Sequence, residues 1–268
     1  MAEQVQEYLQ KDQPEGVPPL ALTGERTLPD LPEENYWYRR HLVVYEWIAE
    51  RVAGKRVVDM ACGEGYGTAV LASRAQHVIG VDANPEAYEH ARAKYSGSTV
   101  EIVRDLIESY RPPVAVDVVS FLQTIEHVQD PASVLRHFAS LLAPDGEVYV
   151  STPNLLTLAP EGAEKSDNPW HVKEYRPGEF RELCQEVFTD VTIHGVFHAR
   201  KLRLHELALR HARWDTVHKG LRISKLFYDR FTPAISARDF ALRLGDDDEA
   251  LAGALDFVAV CRGPRSSG

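Results

Sequence analysis

Cysteine is scarce: Cys62, Cys184 and Cys261 are the three in 268 residues, widely separated and without a C-x-x-C pair. That excludes a disulfide framework and a thiolate zinc site. No run approaches the roughly 18 apolar residues that cross a bilayer. The first residues, with Glu3, Glu7 and Asp12, lack the basic, apolar and small-residue pattern of a signal peptide. A soluble, cytoplasmic protein with no membrane partner is expected. Positive charge is also short: 30 Lys and Arg against 40 Asp and Glu leave −10, which opposes non-specific attraction to nucleic acid. What is present is a globular balance, 44% hydrophobic and 26% charged, sufficient for one well-buried core.

Residues 1 to about 32 are rich in Gln, Glu and Pro and show no periodicity. From Glu33 to Val52 the apolar positions Tyr36, Trp37, Val43, Val44, Trp47 and Ile48 recur at helical spacing, so 1–54 is expected to be an extension with a cap helix. Short apolar runs then alternate with helical segments: strands at Arg56–Met60, His77–Val81, Val100–Val103, Val114–Phe121 and Glu147–Ser151, then Val191–Phe197 and Phe257–Cys261. Strand–helix repetition means parallel strands joined by crossover helices. The expected fold is α/β, a Rossmann-like seven-stranded, mostly parallel sheet with helices on both faces. Its core spans 55–198, with a helical insertion at 199–254, a lid or a dimer arm, and a last strand and tail at 255–268.

The most informative stretch is Val57-Val58-Asp59-Met60-Ala61-Cys62-Gly63-Glu64-Gly65-Tyr66-Gly67, a strand running through a small-residue turn into a helix. Gly63 and Gly65 let the backbone approach a ligand, and the helix start offers free N–H groups. Asp82 ends the next strand, where a carboxylate can take both hydroxyls of a ribose. A nicotinamide dehydrogenase is the rival for such a turn, but Gly67 falls too early for G-x-G-x-x-G.

These residues resemble the first motif of the class I S-adenosylmethionine-dependent methyltransferases, matched by Asp59, Ala61, Gly63 and Gly65, with Ala61 where many members have glycine. The resemblance implies that Asp82, with Ala83 beside it, holds the ribose and that Asp105, followed by Leu106, reaches the adenine. It further implies that the stretch through Gln123-Thr124-Ile125-Glu126-His127 lies beside the methionine moiety. On the N-terminal helix, Tyr36 and Arg40 can close over the cofactor, the planar guanidinium pairing with its methionine carboxylate, with a solvated helix face as the alternative for Arg40. Longer segments, Thr23–Asp30, Glu34–His41, Ser151–Asn154 and Asn168–His171, are similar to an actinobacterial group of sugar O-methyltransferases, including the methylmannose polysaccharide and mycofactocin-glycan enzymes. The implied reaction is O-methylation of a sugar or oligosaccharide hydroxyl, with a small molecule or glycan as partner and a homodimer as one arrangement.

An aliphatic hydroxyl holds its proton at neutral pH, so a general base is expected. His127, His171 and His198, on loops at the carboxyl ends of strands, are the three candidates. Glu126 and His127 also match part of a Glu-x-x-Glu-His divalent-metal motif of quinone-pathway O-methyltransferases. The first position here is Gln123, a poorer ligand, so Mg2+ joins the expected cofactors only through Glu126 and His127. The locally basic stretch Arg200 to Arg230, including Lys201, Arg213, Trp214, Lys219, Arg222 and Lys225, keeps RNA methylation as an alternative. A non-catalytic cofactor-binding subunit is the remaining one.

Overall fold

The computed structural model describes residues 7–8, 16–17, 19–21, 27–29, 31–160, 162–211 and 224–265. Thr23–Arg26, Asp30, Arg213, Trp214, Lys219 and Arg222 lie outside them.

The central strand β1, Arg56–Met60, is buried from its second residue onward, as continuous apolar runs are when helices cover both faces. Parallel to it run β2, His77–Asp82, β3, Val100–Arg104, β4, Val116–Leu122, and β5, Leu142–Pro153. The later strands β6, Phe188–His198, β7, Phe240–Leu244, and β8, Asp256–Pro264, are antiparallel additions. The order is β3-β2-β1-β4-β5-β8-β6-β7. Its direction reverses between β1 and β4, the switch point outside which open α/β sheets bind ligands.

The sheet therefore has eight strands, not seven. The eighth, β7, lies inside the stretch expected to be a helical insertion. Its period-two run Phe240-Ala241-Leu242-Arg243-Leu244 pairs with β6 and covers what would be an open edge. The helices around it in 199–254 are α7, Arg200–His211, α8, Ser224–Phe231, and α9, Asp248–Leu251.

The crossover helices start where local chemistry dictates. In α3, Pro85–Tyr95, the Asn84 side chain accepts from the N–H of Glu86 and Ala87, ahead of Pro85. In α4, Pro131–Leu141, Asp130 accepts from Ser133 N–H, as the sequence implies. The helix α1, Asn35–Ala49, and α2, Tyr66–Ala72, pack Tyr45, Ile48 and Leu71 on Val57, Val118 and Val258 of one sheet face. Phe138 of α4 and Phe180 of α6, Pro177–Val187, pack on Phe121 and Phe257 of the other. The short helix α5, Leu155–Leu158, follows β5. Among the described residues no helix is long and apolar enough to cross a membrane.

Candidate active site

Three residues of the turn after β1 take left-handed backbone: Ala61 (φ 56°), Gly63 (φ 58°) and Gly65 (φ 92°). The two glycines serve different ends. A methyl at Gly65 would come within 2.9 Å of both Ala91 Cβ and Tyr95 Cδ2, so Gly65 lets α3 close against the turn; a methyl at Gly63 would meet nothing within 4 Å. Gly63 is held by its φ alone and faces open space, the cradle an adenosyl ligand needs. Asp82 Oδ2 accepts the Gly63 N–H at 2.8 Å, while Oδ1 accepts the Asn84 N–H at 2.9 Å. Asp82 and the turn thus meet across the tips of β2 and β1. Ala83 and the largely exposed Leu106 mark the neighbouring tips, and Asp105 accepts from Leu106 N–H at 2.7 Å.

Asp59, expected among the cofactor contacts, is 0% exposed. Its carboxylate accepts from Thr68 Oγ1 and Ser120 Oγ, both at 2.7 Å, so it ties β1 to α2 and β4 and positions the turn from beneath. Burial pushes its pKa up to about 6 against the pull of those two hydroxyls. Gly67 also has a role that sequence spacing missed. The Tyr45 ring occupies the place that a side chain there would take, which lets α1 press onto α2.

Arg40, expected to meet the methionine carboxylate, is paired elsewhere. Its Nε and Nη2 donate to the two Asp256 oxygens at 2.6 and 2.5 Å, and Nη2 also donates to the Leu255 carbonyl. Both charges are buried, and a buried carboxylate requires a counterion. Burial lowers the guanidinium pKa, but Asp256 outweighs that and raises it. Gln123, in left-handed backbone (φ 52°), donates its N–H to the Ser151 carbonyl at 3.1 Å and its side-chain amide to Ser151 Oγ at 3.1 Å.

The structure brings His127 and His171 together with Glu126; their rings are 5.0 Å apart. His127 Nδ1 lies 3.0 Å from the Trp170 carbonyl. A carbonyl only accepts, so Nδ1 carries a proton. His171 is differently committed: Nδ1 donates to Glu174 Oε1 at 2.6 Å, and Nε2 takes the Asn168 amide at 3.0 Å. Asn168 Oδ1 accepts from Trp170 N–H, which fixes the amide that way round. Glu174, with Ser166 and His171 on its oxygens, is held below the usual carboxylate range although burial opposes this. His198 stands apart, between Tyr36 OH at 2.8 Å and Glu206 at 3.1 Å. Glu174, Glu206 and Asp256 escaped sequence reasoning; Glu174, three residues after His171, is the one with a local signal.

Glu126 is 2% exposed, and burial pushes its pKa up to about 8 in spite of a 3.1 Å hydrogen bond from Thr152 Oγ1. Its backbone carbonyl accepts from Val172 and Lys173 N–H, so the 168–175 loop closes over it. Among the described residues, Glu126, His127 and His171 are the group whose ligand atoms lie within 4.8 Å of one another. The set does not match the all-oxygen shell that Mg2+ takes: it offers one carboxyl and two imidazoles, and the His171 lone pair is taken by Asn168. In the basic stretch, Lys201 pairs with Asp239 and Lys225 with Asp229.

Residues 36–207 match the model of a methyltransferase domain. A probable S-adenosylmethionine-dependent methyltransferase of Mycobacterium tuberculosis is 37% identical over 254 residues, 91% of this chain and 90% of that one. Another from Mycolicibacterium smegmatis is 44% identical over 72% of this chain and 74% of its own. A Vibrio campbellii ubiquinone biosynthesis O-methyltransferase is 32% identical over 55% and 68%. Among solved structures, a possible histamine N-methyltransferase of Thermotoga maritima superposes with TM-score 0.55 at 16% identity, over 85% of this chain and 93% of that one, which shows the fold. With its Rossmann-like sheet, glycine turn and facing acid, the chain belongs to the class I S-adenosylmethionine-dependent methyltransferases.

Proposed function

We propose that this methyltransferase acts on a hydroxyl oxygen of a sugar or oligosaccharide, with His127 as general base. S-adenosylmethionine, when bound, supplies a methyl group on a sulfonium. Gly63, Gly65, Asp82, Ala83, Asp105, Leu106 and Gln123 are the residues to hold it. The open space at Gly63 and the carboxylate braced on that turn fit an adenosyl ribose.

The observation that carries the base assignment is the contrast between two imidazoles. His127 is half-buried and lines a cavity with Thr124 and Val128, its ring oriented by Nδ1 on the Trp170 carbonyl, whereas His171 is buried with its two ring nitrogens engaged by Glu174 and Asn168. His127 takes the hydroxyl proton; His171, through Glu174 and Asn168, holds the loop that carries Trp170. Burial pushes the Glu126 pKa up to about 8, which weakens the charge beside His127. The likeness to ubiquinone biosynthesis O-methyltransferases supports an oxygen acceptor. The sugar rests on the resemblance of Asn168–His171 and the neighbouring segments to sugar enzymes.

A screen of labelled S-adenosylmethionine against mono- and disaccharides, with and without magnesium, tests the reading. Methyl ether products formed equally well in a chelator are expected. Methylation of amines alone, or of RNA with a steep salt dependence, would overturn it.

A further inference from the structure

The carboxyl edge of the sheet continues beyond the His127 centre. Asp256 lies between Pro153 of β5 and Val196 of β6. Thr152 is level with Gly195, three residues before His198, so His198 stands two strand spacings across and three residues along from Thr152, roughly 14 Å from the residue that supports the Glu126 carboxyl. There residues of α1, α7 and α8 line an open-mouthed cavity of about 260 Å³. That exceeds the roughly 150 Å³ apolar cavity that accepts a benzene ring.

The walls are largely carbon, from Leu202, Leu209, Phe231 and Ile235, with the His205 ring tilted against Phe231 at 4.8 Å. One wall carries a polar chain. Glu206 only accepts, so His198 Nδ1 carries the proton at 3.1 Å, and the Nε2 lone pair takes the Tyr36 O–H at 2.8 Å. The Tyr36 oxygen, to which Arg40 also hydrogen-bonds, has capacity to accept one further donor. A bare sugar ring suits such walls poorly, because each hydroxyl laid on carbon loses its water without a replacement partner. A phenyl-sized group loses nothing.

We propose that this cavity is a distal acceptor subsite, which binds a phenyl-sized apolar group carrying a hydroxyl one bond away. The ring fills the carbon walls and the hydroxyl donates to Tyr36. The acceptor is accordingly a mixed molecule, with an aryl alcohol portion here and the hydroxyl to be methylated at His127. Only that second half rests on the hydroxyl-methylation reading.

The probes are 4-fluorobenzyl alcohol and 4-fluorotoluene, titrated into the full chain and followed by fluorine NMR. Saturable binding of the alcohol is expected. Leu209→Trp, which fills the cavity from an exposed rim position, should weaken it at least tenfold while calorimetric S-adenosylhomocysteine binding is unchanged. Tyr36→Phe should weaken the alcohol about tenfold and leave 4-fluorotoluene within twofold. No saturable binding to the wild-type chain, undiminished binding to Leu209→Trp, or equal loss of both probes in Tyr36→Phe overturns the subsite. Because the readout is binding without turnover, an absence of methyl ether products would sink the proposed reaction and leave the subsite standing.

Discussion

Asp82 Oδ2 accepts the Gly63 N–H at 2.8 Å, so the acid that ends β2 is already seated on the turn that ends β1. Asp82→Ala removes both that brace and the carboxylate proposed to take ribose hydroxyls. Calorimetry should show S-adenosylhomocysteine binding weakened by about 10- to 100-fold, the loss of one or two charge-assisted hydrogen bonds. Unchanged affinity would contradict the assignment.

Gly65 and Ala61 make a paired test of the same turn. Gly65→Ala sets a methyl 2.9 Å from Ala91 and Tyr95 at φ 92°. Strain and overpacking together should cost roughly 2–5 kcal/mol in urea denaturation. Ala61→Gly relieves left-handed strain at φ 56° but loosens the unfolded chain, so a change within about 1 kcal/mol is expected.

The buried Arg40–Asp256 pair predicts an asymmetry between single and double variants. Arg40→Met leaves Asp256 without its counterion and should destabilise by roughly 3–5 kcal/mol, whereas Arg40→Met with Asp256→Leu should recover most of that. Equal loss in both would mean that the charges stabilise outright.

Glu126 sets a pH dependence. Its pKa is raised by burial from 4.5 unfolded to about 8 folded. The folded state then keeps a proton that the unfolded chain releases. The contribution is fully present below about pH 4.5 and is lost as pH rises through 8. Glu126→Gln should flatten that decline and be more stable than wild type at pH 8.5 in denaturant melts. A steeper decline in the variant would reverse the sign.

How far the sequence alone reaches is clear from particular residues. The turn at 59–67, Asp82 and the Asp130 cap were legible because each acts within one strand–turn–helix unit. Asp59 was recognised as a motif residue but its task was not, since its partners Thr68 and Ser120 lie on two other elements. Arg40 found Asp256, 216 residues away, and no local pattern announces such a pair. The strand β7 was hidden because an edge strand buries little and its alternation sits among helices. Spacing identifies three histidines without ranking them; the proposed ranking uses their burial and hydrogen-bond partners, which lie on other segments of the chain.

The most direct measurement is therefore turnover of His127→Ala on the best hydroxyl acceptor, beside its affinity for S-adenosylhomocysteine. Turnover should fall by about 10²- to 10⁴-fold, the usual worth of a general base, with affinity essentially unchanged and partial rescue by added imidazole. Retention of turnover to within about threefold of wild type would contradict the assignment of His127 as the base.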